Sequence, residues 1–417
     1  MRGFGCPVIV VSLLVGLAGA AASADETPIA VSQQEAQRLI DELVPQVEKL
    51  RGLPFKRPVP VEVVDGAAMR DYVLARVRLF DHEGHLDAVQ RAYRLLGLIP
   101  EDAGLLELLM DAMEEQAGGF YDPSKGAYYL LNDVPQTAAP IFTAHELTHA
   151  LEDQHFDLDR RLRDTLEDDD RMLAISAVHE GSATILMSVY MMGAVRRGEM
   201  DADALQTLAE SEAGRAAKLR ALPEVLLRQM LGPYVLGALF LGGDDSRGVA
   251  GGYPGDTVNR VMSAGPSSSE QILHPEKFWD SEQRDEPREV RLAGMQRVLG
   301  KRWTREGHGV LGELTLGALV GAATPLEPGA SGIPDAAAWT NQAASGWGGD
   351  RWELWEQDGE SILLLRVDWD SPTDAAEFAA ALQDHDGLRW ETSDDRVAIV
   401  AGHAGKKTGR LLTRMLR

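Results

Sequence analysis

The sequence predicts an α+β fold, a mostly helical part followed by a smaller α+β unit, and three patterns predict it. Apolar residues recur at helical spacing through most of 32–241, as in Ala36, Leu39, Ile40 and Leu43 after Ser32. One short hairpin interrupts them: Phe120 to Leu131 contains Pro123, preset for a turn, and Gly126, suited to the left-handed residue that closes it. From Arg351 onward strand and turn patterns alternate.

Taken in order, Ser32 is an N-cap signal for a helix running to about Leu50, and Pro54 to Val64 is extended around three prolines. Helical patterns resume over 67–96 and 101–117. After the hairpin, Pro140 suits a first helical turn, and Phe142, Leu147, Ala150 and Leu151 form an apolar stripe. A long helix is expected from Asp170 to Arg197, then further helices over 201–222 and 223–241. Glycine pairs at 242–243 and 251–252, with Gly265-Pro266-Ser267, end this half. A connection rich in Gly, Ala, Pro and Ser covers about 323–350. Beyond it are expected strands at Trp352 to Gln357 and Ile362 to Trp369 about an Asp358-Gly359 turn, and a helix from Pro372 to Gln383. A hairpin around Asp394-Asp395 and a basic helix from about Lys406 complete the C-terminal unit.

Three segments follow. Residues 1–24 carry Arg2, an apolar run from Val8 to Ala20, and Ala22-Ser23-Ala24, the pattern of a secretory signal peptide cleaved after Ala24. The apolar run is shorter than the ~20 residues a membrane span needs. Residues 25–285 form the helical unit and 286–417 the C-terminal α+β unit. The single cysteine, Cys6, lies in the signal segment, so core packing rather than disulfides must stabilise the mature chain. A formal charge of -24 argues against nucleic acid as a partner, and none is expected. Leu227 to Gly243 and Ser182 to Val195 are the next most apolar stretches and read as buried helices, so no stable membrane span is expected after cleavage. The chain is expected to be secreted, periplasmic or on the cell envelope.

His145-Glu146-Leu147-Thr148-His149 carries the chemistry. On a helix, H-E-x-x-H sets two imidazoles one turn apart with a carboxylate beside them, the arrangement by which zinc peptidases hold their metal and place a general base. Such a site needs a third protein ligand, and two residues compete. His155, six residues past His149, has the metzincin spacing, but Glu152 stands where that arrangement has the glycine that turns the chain back. Glu180 lies with His179 in an otherwise apolar stretch, a polar pair that needs a reason to be buried, and Ala177, Gly181, Ala183 and Thr184 around it are small enough to let two helices approach.

The chain here resembles the gluzincin metallopeptidases, whose second helix supplies a glutamate often followed by glycine. More closely, His145 to Leu158, Glu180-Gly181-Ser182-Ala183, Pro233-Tyr234 with Gly237, and Ser269 to Lys277 look like a family of bacterial secreted or surface neutral zinc metallopeptidases. Gly346 to Arg351 is a weaker echo. The resemblance covers roughly 118–280 and implies one Zn²⁺ per chain on His145, His149 and Glu180, Glu146 as general base, a peptide or protein substrate, and a zincin-like catalytic domain whose expected bounds are 25–285. The chain departs from thermolysin-like enzymes in the 31 residues from His149 to Glu180, and in Thr184, where those enzymes often keep an aspartate. Tyr234 and His274 are candidate donors to the oxyanion of the reaction. Asp153 is a candidate to orient a ligand imidazole, and Ala127 to Leu131 is the strand expected to take an extended substrate. Two alternatives stand beside this reading: a metzincin arrangement through His155, and a non-catalytic envelope binding or assembly protein on a peptidase scaffold.

Overall fold

The computed structural model describes residues 31–81, 84–116, 118–166, 168–201, 206, 219–242, 252–321 and 338–417. The expected signal segment, most of the helix expected over 201–222 and much of the connection expected over 323–350 lie outside them. The fold is α+β.

Helix α1 (Gln33–Arg51) begins as expected at Ser32, whose side chain accepts from the Glu35 amide while Glu35 reaches back, a capping box. It buries Ala36, Ile40, Leu43 and Val47. Strand β1 (Val61–Val64) and helices α2 (Gly66–Phe80), α3 (His85–Leu96) and α4 (Leu105–Gln116) follow. The helical patterns expected over 67–96 are two helices, with Gly84 at φ 79 as the N-cap of the second. A left-handed residue cannot continue a right-handed helix.

Strands β2 (Gly119–Asp122) and β3 (Ala127–Leu131) form the expected hairpin, but the three-stranded sheet has the order β1-β3-β2. β1 pairs parallel to β3, Val61 opposite Tyr128, in a segment that the sequence marked only as extended. This corrects the expectation for β3: both its edges are taken, so it has no free backbone to offer a substrate. β2 is the edge strand on the other side.

Helix α5 (Ala139–Phe156) carries the H-E-x-x-H residues and ends where Asp157 turns left-handed. After α6 (Leu158–Arg163) comes α7 (Asp169–Arg197), capped by Asp168 and closed by Gly198, and then α8 (Glu224–Gly242). Both α7 and α8 are long and apolar enough to cross a membrane, yet 83% and 67% of their apolar windows are buried inside the fold, as in core helices. Their contact is very close. A Cβ on Gly181 would strike the backbone of Gly237 and Ala238, and one on Gly237 would overlap the carbonyl of Ala177. Ala177 and Gly181 thus serve α7 against α8, whereas sequence reasoning assigned them to α7 against α5. Gly237→Ala is expected to cost about 3 kcal/mol through overpacking between two helix backbones that cannot yield separately, read as a lower denaturant midpoint. An unchanged midpoint would contradict that packing.

Short helices α9 (Gly255–Ser263), α10 (Ser269–Leu273), α11 (Glu276–Trp279) and α12 (Met295–Leu299) lead to β4 (Thr304–Gly309) and α13 (Gly312–Leu319). The C-terminal part is a five-stranded antiparallel sheet, order β4-β5-β6-β8-β7, with β5 (Trp347–Gln357), β6 (Glu360–Trp369), β7 (Leu388–Ser393) and β8 (Arg396–Gly402). Helices α14 (Pro372–Ala381) and α15 (Thr408–Met415) complete it. Leu363, Leu365, Val397 and Ile399 pack with Phe378 of α14, while Ile362, Leu364, Ala398 and Val400 pack with Leu411 and Met415 of α15. Both faces are covered, which is why residues 362–365 in β6 and 397–401 in β8 are unbroken apolar runs. The first of these clusters continues through Val89 and Ala92 of α3 to Ile40 and Leu43 of α1, so one core runs from the N-terminal helix to the sheet.

Candidate metal centre

His145 and His149 lie four residues apart on one face of α5, and α7 presents Glu180 to them. His145 Nε2 is 3.1 Å from Glu180 Oε2 and 3.1 Å from His149 Nε2, and His149 Nε2 is 3.4 Å from Glu180 Oε2. A tetrahedral ion with bonds of about 2.0 Å has ligand-to-ligand edges of about 3.3 Å. The three donor atoms already stand at the corners of one face of such a tetrahedron. All three side chains are at most 6% exposed. Glu180 Oε1 and His145 Nδ1 are buried without a hydrogen-bond partner.

The electrostatics agree with a cation there. Burial works to raise Glu180, but the His149 and His145 imidazoles hold its carboxyl well below the usual range, so it is a carboxylate. Burial disfavours a charge on His149, yet the carboxylates of Glu180, Glu146 and Glu152 outweigh burial and push it up to about 9. Three electron-pair donors converging in a buried space require either protons or a metal among them. Among the described residues one other trio has suitable spacing, Glu270, Asp285 and Asp370. Lys277 Nζ already fills it, at 2.6, 3.0 and 2.7 Å from the three carboxylates.

Glu146 points toward the small sheet. Its Oε2 accepts the Tyr121 backbone N–H at 2.8 Å, in a buried bond that fixes the carboxylate against edge strand β2. Asp153, one turn past His149, accepts the Tyr121 hydroxyl at 2.9 Å and the Leu158 amide at 3.1 Å. It therefore holds the residue that holds Glu146. The sequence had suggested a ligand imidazole as its partner, and Tyr121 was not anticipated.

Tyr234 of α8 is brought to the centre: its ring stacks on His145 with centroids 6.0 Å apart and planes at 22°. His274 is engaged elsewhere. Its Nε2 bonds Glu313 of α13 at 2.9 Å, and burial, which lowers its pKa, is outweighed by that carboxylate so that the net shift is upward. His155 reaches Pro54, with Nε2 2.8 Å from that carbonyl, because α5 runs straight through Glu152 to Phe156 without a turn. It takes no part in the three-donor group.

Residues 296–410 match a family described as Domain of unknown function (DUF8575). That region spans the five-stranded sheet and none of the donor residues. No curated protein and no solved structure matches the chain.

Proposed function

We propose that the chain is a secreted zinc-dependent peptidase of gluzincin type, with a zincin-like catalytic part, His145, His149 and Glu180 as zinc ligands and Glu146 as general base. The observation that carries this reading is the 3.1 to 3.4 Å triangle of donor atoms on H-E-x-x-H and a downstream glutamate. Secretion rests on the pattern of residues 1–24.

When bound, zinc supplies a Lewis acid that polarises the scissile carbonyl and lowers the pKa of water toward ~7. Glu146 takes a proton from the attacking water as its oxygen bonds to the carbonyl carbon, then hands that proton to the amine nitrogen as the C–N bond breaks. The Tyr121 amide holds one carboxylate oxygen of Glu146, Oε2, which orients the base. Of the two oxyanion donors expected, Tyr234 lies against His145 and His274 is tied to Glu313, so we assign that role to Tyr234.

The test is hydrolysis of an unfolded protein such as casein by the purified chain, abolished by 1,10-phenanthroline and restored by added zinc. Cleavage that survives chelation contradicts the proposal. A second reading, a metal-holding envelope protein without turnover, draws on one observation: His145, Glu146, His149, Glu180 and Tyr234 are each at most 5% exposed. A polypeptide reaches such a centre only after movement. Zinc held at one per chain with no cleavage of any substrate favours that second reading.

A further inference from the structure

Glu152 lies on α5 three residues beyond His149 and seven beyond His145, so it continues the stripe that carries both imidazoles. Its Oε1 accepts Arg51 Nε at 2.7 Å, and both side chains are fully buried. The same oxygen accepts the Ser182 hydroxyl at 2.6 Å and the Tyr253 hydroxyl at 3.1 Å. The Arg51 guanidinium also lies over the rings of Tyr253 and Phe156, 5.3 and 5.7 Å from their centroids. One carboxylate oxygen thus gathers the last residue of α1, the metal-ligand helix α5, the helix α7 of Glu180, and the segment that precedes α9.

Stability is a weak reason for such a group. A buried ion pair generally does no better than apolar side chains of the same volume, because desolvation consumes the attraction. Here Glu152 Oε2 and both Nη atoms of Arg51 are buried without hydrogen-bond partners, which adds to that cost. Position supplies a better reason. Ser182 is two residues past Glu180, and Glu152 is three past His149. Helices α5 and α7 are therefore joined at two neighbouring points, one through the three donors and one through Glu152 and Ser182. Two helices tied at one point can pivot, and two tied at both points keep their separation and rotation.

We propose that Glu152, with Arg51 and Ser182, is a positioning device for the metal centre: it sets α5 against α7 so that the three donors stand 3.1 to 3.4 Å apart independently of an ion. The proposal rests on the zinc-site reading and makes α1 part of the centre rather than a detachable leader helix. Without the tie, zinc binding must itself order the two helices, and that cost appears as lost affinity.

The experiment uses the full chain, with zinc dissociation constants from chelator competition and the visible absorption of the cobalt(II)-substituted protein as a record of ligand geometry. R51M/E152L replaces the pair by apolar side chains, and Ser182→Ala removes a single hydroxyl should the double variant not fold. Asp350→Asn is the control: it weakens a buried carboxylate that accepts the Leu311 and Gly312 amides and the Trp347 indole, among the C-terminal elements. We expect zinc affinity to fall roughly 10- to 100-fold in R51M/E152L and about 10-fold in Ser182→Ala, with altered cobalt spectra in both. Asp350→Asn should lower the thermal midpoint and leave affinity and spectrum as in the parent. Affinities within about twofold of the parent and a parental cobalt spectrum in both tie variants overturn the proposal. A parent chain that binds no zinc overturns it together with the zinc-site reading, an outcome seen on the parent before any variant is measured.

Discussion

Glu180→Ala is expected to lose zinc by more than the ~100-fold that removal of a supporting residue costs, because it deletes one of three ligands outright. The carboxylate is also the anion of the group. Removing it leaves two buried imidazoles 3.1 Å apart to share one cation, with no negative charge in direct contact. His155→Ala is the matched control, since its Nε2 bonds the Pro54 carbonyl away from the donors and its loss should leave the metal in place. Elemental analysis after dialysis reads both variants. Should His155→Ala release zinc while Glu180→Ala retains it, the gluzincin assignment fails and the metzincin alternative replaces it.

Glu146→Gln is expected to lower turnover by roughly 10²- to 10⁴-fold while zinc content stays at the parental value. The substitution is nearly isosteric, and the amide oxygen can still accept the Tyr121 N–H that holds the carboxylate in place. What it removes is the capacity to accept and return a proton. KM should change little, because the residue acts on the reaction rather than on ground-state binding. Loss of zinc in this variant, or activity within about tenfold of the parent, would contradict the general-base role.

The parts legible in the sequence are those whose signal is local. Ser32 with Glu35, Pro140 near the start of α5 and Gly198 closing α7 mark helix ends through backbone chemistry confined to one turn. H-E-x-x-H is legible for the same reason, since four residues of helix fix where two imidazoles point. Glu180 was legible less directly, as a polar residue that had to justify its burial in an apolar helix.

What stayed hidden depends on pairing across long stretches of chain. β1 is four residues that follow a run of prolines, and only its partner β3 makes it a strand; finding it makes β3 central and leaves β1 and β2 as the outer strands. β4, Thr-Arg-Glu-Gly-His-Gly, has no apolar alternation because it is a polar edge strand beside β5. The Arg51 to Glu152 pair joins residues 101 positions apart, and neither residue type announces a partner. Glu152 was readable only as the absence of a glycine, whereas the structure gives it three donors of its own.

The central claim is that His145, His149 and Glu180 hold one zinc ion, and zinc K-edge X-ray absorption on the purified chain tests it most directly. The account predicts one zinc per chain, bound by two imidazole nitrogens and carboxylate oxygen at about 2.0 to 2.2 Å. A chain free of zinc after purification and zinc loading, or a bound zinc without two imidazole ligands, would contradict it.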